Sequence, residues 1–515
     1  MSQKNKIDWP VLTISGGLLS LFVLVSLLNS DLVGKLVNSS FAFSVKYFGA
    51  FWQVLMLATF LVAIGMAVSR YGRIRLGNRE KPEMSTFRWI AIIMCTLLAG
   101  GGVFWAAAEP MYHFLSAPPM FDGVESASEQ AIIPALAQSF MDWGFLAWAI
   151  LGTLSAVVLM YGHYDKGLPL KPRTLLYPIF GEKIIYNSAL GTFVDAFSVI
   201  AVAAGTIGPI GFLGLQAAYG FESLFGIPNV LGTQLAIVFG LVAIAAISAA
   251  TGLHKGIQIL SRFNIIFTLG LVVIMLLMGP GRFIFDSFIG TTAIYIQDFL
   301  KISLYRGDAD WLGWWTVFFW GWFIGYGPMM AIFISRISRG RTLRELFIAV
   351  AVIAPLVTNF WFTVVGGSGI FFELQNAGSI SNALNNAGIP AAMIAITQQL
   401  PMGALMSAAF LVVTITFVAT TVDSMSFTIS MAITGEGDPP RSLRVFWAVV
   451  MGAVASMLLY IGDGSVGALQ NFIVVTAVPV SIILLPMLWV SPRVAGWMAE
   501  EQGVSSEVKK PVLEE

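Results

Sequence analysis

Two glycine-rich apolar stretches, residues 98–105 (LAGGGVFW) and residues 320–328 (WGWFIGYGP), decide the fold of this chain. Glycine and proline are tolerated inside a membrane-spanning helix only where neighbouring groups or a cavity satisfy the released backbone groups. In secondary transporters, such interruptions at corresponding places in the two halves of the chain mark the substrate and ion sites. The pair therefore predicts two broken helices around a binding site at mid-membrane depth.

The composition places the rest of the chain in a lipid bilayer. Of the 515 residues, 57% are hydrophobic and 11% are charged, whereas soluble proteins average about 45–50% and about 25%. The formal net charge is zero, so nucleic acid is not expected as a partner. One cysteine excludes an intramolecular disulfide, and three scattered histidines predict no metal cluster. Without a constellation of nucleophile, base and metal, an enzyme is not expected either.

Twelve hydrophobic runs are each long enough to span a bilayer. They lie near residues 10–28, 48–68, 89–108, 139–161, 193–219, 230–250, 257–280, 314–335, 347–371, 402–433, 443–461 and 469–491. If both termini are cytoplasmic, only five of the 28 Lys and Arg residues fall in extracellular segments, as the positive-inside rule requires. These five are Lys35, Lys46, Arg282, Lys301 and Arg306. We predict an all-α, multi-pass protein of the inner (cytoplasmic) membrane with twelve transmembrane helices and both termini cytoplasmic. Eleven or thirteen helices are the alternatives, but either would invert the charge alternation of the later loops.

The glycine-rich stretches also predict how the chain is divided. We expect an inverted repeat of five plus five helices, with helices 1 and 2 as additions. The predicted parts are residues 1–85 (tail and helices 1–2), 86–280 (helices 3–7), 281–312 (interfacial helix and loop), 313–492 (helices 8–12) and 493–515 (short cytoplasmic tail). Residues 281–300 and 379–400 mix polar with apolar side chains, which predicts helices that lie beside the spans.

Aromatic residues crowd the second glycine-rich stretch. Nine of them fall within sixteen positions, among them Trp311, Trp314, Trp315, Trp320, Trp322, Phe323 and Tyr326. Most membrane tryptophans belong to an interfacial belt or to core packing, and that reading stays open for any one of them. A cluster beside a predicted helix break favours a different role, because aromatic faces attract quaternary ammonium cations with about 2 kcal/mol or more when desolvated. The cluster predicts an aromatic box for an onium headgroup.

Three motifs carry a resemblance to a known family: residues 108–114 (AEPMYHF), 315–322 (WTVFFWGW) and 335–345 (SRISRGRTLRE). They occur in the expected order, and the chain resembles the betaine/carnitine/choline transporters over nearly its whole length. The resemblance implies a LeuT-type inverted-repeat fold and commonly a homotrimer. It also implies uptake or exchange of a small onium solute such as glycine betaine, carnitine, choline or dimethylsulfoniopropionate.

The same resemblance implies the site residues. The substrate-binding positions are Tyr112, Trp143, Trp320, Trp322, Phe323 and Tyr326, and the gate or peripheral positions are Trp148 and Trp315. The sodium positions are Phe417, Thr420 and Thr421, with Cys95 and Leu98 contributing backbone carbonyls. Members that prefer glycine betaine commonly have tryptophan where this chain has Phe323 and Tyr326, so the choice of substrate stays open.

Coupling to Na⁺ is the expected driving force, and no other cofactor is expected. Sodium-independent exchangers of the family place an arginine on helix 7, where this chain has Asn264. We therefore expect Na⁺-coupled symport by alternating access. A sodium-independent exchanger of the carnitine/butyrobetaine type is the alternative, and a transporter-like sensor or channel is the alternative from another class.

Acidic residues inside the predicted spans are Asp142, Asp195 and Asp423. An intramembrane carboxylate is costly and is therefore a functional hypothesis by default. Asp142 precedes Trp143, so it could attract a cationic headgroup, carry a proton or turn outward as a solvated helix end. Glu109, before Pro110, predicts a helix end, and the three histidines are predicted at water-facing helix ends.

Overall fold

The computed structural model describes residues 7–97, 101–186, 188–251, 254–435 and 438–504, and these residues form a helical bundle. The helices are α1 (Trp9–Leu28), α2 (Ser30–Val68), α3 (Thr86–Leu97), α4 (Val103–Leu115), α5 (Ile132–Trp143), α6 (Phe145–Gly152), α7 (Leu154–Met160), α8 (Tyr177–Phe180), α9 (Ala189–Phe225), α10 (Leu231–Thr251), α11 (His254–Met278), α12 (Gly281–Gln297), α13 (Phe299–Ser303), α14 (Ala309–Trp314), α15 (Thr316–Ile337), α16 (Leu343–Ile348), α17 (Ala354–Phe362), α18 (Ser368–Gln375), α19 (Ser381–Ala387), α20 (Ala392–Gln398), α21 (Gly403–Thr434), α22 (Arg441–Ile461), α23 (Gly467–Leu484) and α24 (Met487–Glu501). Residues 349–353 and 363–367 join α16, α17 and α18 as π-helical turns.

The length and composition of these helices confirm an all-α, multi-pass membrane protein. Among the described residues, ten helical stretches are long and apolar enough to cross a membrane, and α11 with α12 makes an eleventh if the two are one span. The predicted third span falls on α3 and α4, which flank residues 98–100, and those three residues lie outside the described chain. The count of twelve stays a prediction.

The second glycine-rich stretch does not interrupt its helix. α15 runs continuously from Thr316 to Ile337 and includes Pro328, so the predicted break at residues 320–328 is wrong. The interruption lies at Trp315, between α14 and α15. The glycines serve close packing instead, because a Cβ at Gly321 would lie 2.8 Å from the Trp52 ring and one at Gly327 would lie 2.8 Å from Leu484. They let α2 and α23 approach α15.

A helix break between α5 and α6 positions Trp143. α5 ends at Trp143 and α6 begins at Phe145, with Gly144 between them at φ −93° and ψ −134°. A Cβ at Gly144 would lie 2.1 Å from the carbonyl oxygen of Phe140 and 2.7 Å from Tyr295 Oη. The released Phe145 N–H donates to Tyr295 Oη at 3.2 Å, which satisfies the backbone at the turn. Glycine therefore allows α5 to end with Trp143 inside the bundle.

The two segments predicted to lie beside the spans form separate, shorter helices. α12 leaves α11 at an angle of 104°, so residues 281–297 do not continue the preceding span. Residues 379–400 hold α19 and α20, and the apolar side chains of α20 are buried. Residues 281–297 thus change direction where the sequence mixes polar with apolar residues.

Candidate substrate and ion site

One face of α15 meets the end of α5 in a cluster of rings. The ring centroid of Trp143 lies 5.9 Å from that of Trp322, 5.3 Å from that of Phe323 and 5.2 Å from that of Phe319. The ring plane of Trp143 is inclined by 78° to Trp322 and by 89° to Phe323. Tyr326 follows Trp322 by one helical turn, on the same face of α15. We call Trp143, Trp322, Phe323 and Tyr326 the aromatic box; each is at most 9% exposed.

Hydrogen bonds from neighbouring helices fix the polar edges of these rings. The Trp322 indole donates to the carbonyl oxygen of Gly205 on α9 at 3.0 Å, and Tyr326 Oη lies 3.2 Å from Thr206 Oγ1. The Trp143 indole donates to Glu109 Oε2 on α4 at 2.7 Å. Because the N–H and O–H groups are bonded to the scaffold, the box offers its ring faces to a ligand.

Glycine backbone lies directly against the box. A Cβ at Gly101 would lie 2.4 Å from Trp322 and 3.0 Å from Trp143, and a Cβ at Gly205 would lie 2.3 Å from the Tyr326 ring. The carbonyl oxygen of Gly102 accepts a hydrogen bond from the Trp361 indole at 2.9 Å. Gly101 and Gly102, the described glycines of the first glycine-rich stretch, therefore border the ring cluster.

Tyr112 and Trp315 form a neighbouring ring pair, with centroids 5.8 Å apart. Trp315 also lies 6.4 Å from Phe319, which connects this pair to the box. Trp148 is held elsewhere, because its indole donates to Thr358 Oγ1 on α17 at 3.0 Å.

Trp320, like Tyr112, is a substrate-site candidate that lies outside the box. It is fully buried, but it precedes Trp322 by two residues, which is about 200° around a continuous helix. Within the described residues its indole N–H has no partner, and its ring contacts none of the box rings. The prediction for Trp320 came from the family resemblance, and the continuous α15 places it on another helix face.

The predicted sodium site is described only on its α21 side. Phe417, Thr420 and Thr421 are buried on α21, and Thr420 Oγ1 lies 3.0 Å and 3.1 Å from the carbonyl oxygens of Thr416 and Phe417. Asn264 Nδ2 on α11 donates to Thr420 Oγ1 at 3.3 Å. Leu98 lies outside the described residues, and Cys95 is described only by its place on α3. The hydroxyl of Thr420 therefore faces α11, where the sequence analysis placed Asn264.

Two acids and a histidine that the sequence analysis considered singly meet beside Trp143. One side-chain atom each of Glu109, His113 and Asp142 lies within 4.8 Å of the other two. α4 continues through Pro110 to Leu115, so the predicted helix end at Glu109 is wrong. His113 is 1% exposed, so its predicted water-facing position is also wrong. Asp142 is fully buried and does not turn outward.

Several contributors to the ring cluster escaped the sequence analysis. Phe362 on α17 has its ring centroid 5.1 Å from that of Trp143, and Gly205 and Glu109 bind the two box indoles. Phe319 could have been identified from the sequence, because it precedes Trp322 by three residues and therefore lies on the same helix face. The others come from helices distant in sequence, and no local pattern marks them.

A buried aromatic box inside a multi-pass helical bundle is the arrangement expected of a transporter for a cationic solute. The chain matches the family model described as "BCCT, betaine/carnitine/choline family transporter" over residues 10–499. It therefore belongs to the betaine/carnitine/choline transporter family.

Named relatives span nearly the whole chain. "Glycine betaine transporter 2" of Vibrio parahaemolyticus serotype O3:K6 (strain RIMD 2210633) is 54% identical over 495 residues, covering 96% of this chain and 91% of the relative. The "Ectoine/hydroxyectoine transporter" of Virgibacillus pantothenticus is 31% identical, covering 94% and 96%. "Glycine betaine transporter OpuD" of Bacillus subtilis (strain 168) is 32% identical, covering 94% and 93%.

Proposed function

We propose that this protein imports an onium solute by secondary active transport and that the aromatic box binds the cationic headgroup. The observation that carries the proposal is the contact of Trp143 with Trp322 and Phe323, all buried and with both indole N–H groups bonded to the scaffold. A quaternary ammonium group cannot donate hydrogen bonds, so ring faces rather than acceptors are what recognise it. Membership of the family supports the same class of solute.

Glycine betaine is the first substrate to test. The relative that is 54% identical carries that substrate in its name. Phe323 has a smaller and less electron-rich ring than tryptophan, so carnitine, choline and dimethylsulfoniopropionate belong in the same panel. Ectoine joins them because it is named for the relative from Virgibacillus pantothenticus.

Na⁺ is the coupling ion in this proposal. Na⁺ is a hard cation that takes oxygen ligands, and Thr420 supplies a buried hydroxyl oxygen next to the carbonyl of Phe417. Asn264 Oδ1 is a further buried oxygen, without a hydrogen-bond partner among the described residues. Since Asn264 is neutral, it does not replace a cation at this place as an arginine would. That difference favours symport over sodium-independent exchange.

Alternating access follows from the packing of the box. Its rings touch one another, so they must part to admit a cation and close again around it. We propose that the repeat of residues 86–280 and the repeat of residues 313–492 rock against each other to do this. In this proposal the protein is a homotrimer in the inner membrane with both termini in the cytoplasm.

Uptake into proteoliposomes tests the function. Labelled glycine betaine should accumulate when an inward Na⁺ gradient is imposed, and accumulation should fall to the passive level when K⁺ replaces Na⁺. The panel of unlabelled solutes, used as competitors, ranks the substrates. Counterflow that is independent of Na⁺ would replace symport by exchange. Failure to accumulate any solute of the panel against its gradient would favour a sensor or channel.

Replacement of single tryptophans tests the box. Trp143→Ala and Trp322→Ala should each weaken glycine betaine binding about 30-fold, because each removes a face worth about 2 kcal/mol. Trp9→Ala is the matched control, since Trp9 is 64% exposed on α1 and lies far along the chain from the box. Binding is measured by isothermal titration of the purified protein in lipid nanodiscs. An equal loss in all three variants would count against the box.

A further inference from the structure

A polar cluster lies between α4 and α5, next to the aromatic box, because Asp142 directly precedes Trp143 in the chain. Glu109 and His113 are one turn apart on α4, and Gln138 and Asp142 are one turn apart on α5. The distance from His113 Nε2 to Glu109 Oε1 is 3.6 Å. One side-chain atom each of Glu109, His113 and Asp142 lies within 4.8 Å of the other two. The four side chains are at most 1% exposed, and we call them the α4–α5 cluster.

Each of the four residues contributes one polar atom that lacks a partner among the described residues. Glu109 Oε1, Asp142 Oδ2, Gln138 Oε1 and His113 Nε2 make no hydrogen bond among the described residues. The second oxygen of each carboxylate is already used, because Glu109 Oε2 accepts from the Trp143 indole and Asp142 Oδ1 accepts from Gln138 Nε2 at 3.0 Å. Bonds of this kind orient a carboxylate and leave its other oxygen free for a ligand.

Among the described residues, the two acids of the cluster lack the basic partner that Asp195 and Asp423 have. Asp195 pairs with Arg173 at 2.6 Å, and Asp423 pairs with Arg444 at 3.0 Å. In the part of the chain that the structure describes, neither Glu109 nor Asp142 forms an ion pair with a lysine or an arginine. Buried charges are paired or coordinate a metal, because an isolated buried carboxylate is very costly. A buried carboxylate without a basic partner is neutralised by a proton or by a bound cation, and the spacing of these three side chains suits a metal ion.

We propose that Glu109, His113 and Asp142 bind a divalent transition metal of the Zn²⁺ class, with Gln138 Oε1 or a solute atom completing the shell. Two carboxylates and one divalent ion are neutral together. An imidazole nitrogen favours Zn²⁺ over Na⁺, Mg²⁺ or Ca²⁺, which take oxygen ligands. With bonds of about 2.1 Å, the edge of a tetrahedral site is about 3.4 Å, close to the distance between His113 and Glu109.

The proposed metal site goes beyond onium import, because a bound metal would affect the aromatic box without being part of it. The metal would hold Glu109, and Glu109 holds the Trp143 indole. It would also tie α4 to α5, so neither helix could shift alone. Zn²⁺ is therefore expected to slow the opening of the box and to inhibit transport without being transported.

Binding of Zn²⁺ to the purified wild-type protein is the first measurement. After treatment with a chelator, equilibrium dialysis should show one Zn²⁺ per chain, and Co²⁺ in its place should give the visible absorption of a tetrahedral site. His113→Gln and Asp142→Asn should each weaken Zn²⁺ binding at least about 10-fold, because loss of even an outer-shell partner typically costs about 10- to 100-fold. His163→Gln is the matched control, since His163 bonds the carbonyl oxygen of Leu168 and lies outside the cluster.

Glycine betaine binding, measured on the same samples, separates this proposal from the proposed function. A variant that binds glycine betaine is folded, and its loss of Zn²⁺ then reports on the cluster. The proposal is overturned if the wild type takes up no Zn²⁺, which requires no variant to fold. It is equally overturned if His113→Gln binds Zn²⁺ as the wild type does. It is also overturned if glycine betaine binding responds to pH but not to Zn²⁺, and Asp142→Asn abolishes that response to pH.

Discussion

At the scale of single residues, the box depends on two glycines as much as on its rings. Gly205 and Gly101 bring backbone from α9 and from the start of α4 against Tyr326 and Trp322. The carbonyl oxygen of Gly205 also holds the Trp322 indole. A side chain at either glycine would occupy the space of a box ring.

Gly205→Ala is therefore expected to weaken glycine betaine binding about 10-fold or more. The new Cβ would lie 2.3 Å from the Tyr326 ring and 3.1 Å from Trp322 Nε1, so both rings must move. Overpacking of this kind costs about 1–3 kcal/mol. Isothermal titration measures the affinity, and the melting temperature of the same sample reports on the fold.

Gly240→Ala on α10 is the control for that substitution. Its Cβ meets nothing within 4 Å, so binding should be unchanged and stability should rise by about 0.5–1 kcal/mol. Unchanged affinity in Gly205→Ala would show that the rings do not depend on this close approach.

The sequence could predict the box residues but not all of their partners. Trp322, Phe323 and Tyr326 share one helix face, which their spacing displays. Trp320 was included through the family resemblance, and the continuous α15 places it on another helix face. Glu109 could not be assigned as the partner of Trp143, because their contact joins two helices that a loop separates.

At the scale of elements, an ionic network ties the start of α1 to the rest of the bundle. Asp8, before α1, accepts hydrogen bonds from Lys171 at 2.9 Å and from Arg173 at 3.0 Å. Arg173 in turn binds Asp195 on α9 at 2.6 Å. The Asp8 N–H donates to the carbonyl oxygen of Ile433 at the end of α21 at 3.1 Å. One residue thus joins α1 to α9 and α21.

The pH dependence of stability tests this network. Burial alone would raise the pKa of Asp8, but the hydrogen bond from Lys171 and the charges of Lys171 and Arg173 outweigh it and lower the pKa below its usual value. Because the folded protein holds the proton less tightly than the unfolded chain does, Asp8 stabilises the fold above its usual pKa. That contribution is lost as the pH falls through the lowered pKa. Asp8→Asn should therefore cost about 1–3 kcal/mol at pH about 7, and the difference from the wild type should shrink below pH about 4.

Melting temperatures recorded between neutral and acidic pH measure this difference. Asp122→Asn, in the exposed loop after α4, is the control, and its free energy of unfolding should stay within about 0.5 kcal/mol of the wild-type value at each pH. A destabilisation by Asp8→Asn that stays the same at every pH would mean that the charge of Asp8 is not its source.

The two glycine-rich stretches show where element-scale prediction from sequence ends. Glycine in a spanning helix has two physical uses, a break in the backbone or the close approach of a neighbour. The sequence does not distinguish them, because the neighbour is distant along the chain. In α15 the neighbours are Trp52 and Leu484, and the helix stays continuous. At Gly144, which no pattern singled out, the glycine does break the helix.

At the scale of the whole molecule, the length of the apolar runs and the low content of charged residues indicate a multi-pass membrane protein. The packing of helices that are distant in sequence determines the candidate site. Apolar runs of fixed length are a local property, so the multi-pass class was readable from the sequence. The pairing of α4 with α5 and of α5 with α15 is not local, and those pairings place Trp143 between the box and the α4–α5 cluster. The orientation in the membrane is predicted from the distribution of basic residues alone.

That orientation can be measured with two cysteine variants. Glu80, between α2 and α3, and Glu125, between α4 and α5, are both exposed, and Cys95 is the only cysteine to remove. The loop before α3 contains Arg70, Arg73 and Arg75, whereas residues 116–131 contain no Lys or Arg. By the positive-inside rule, a membrane-impermeant maleimide added to intact cells should label the E125C variant and leave the E80C variant unlabelled. Both variants should react once the membrane is permeabilised, and labelling of E80C but not E125C in intact cells would place both termini outside.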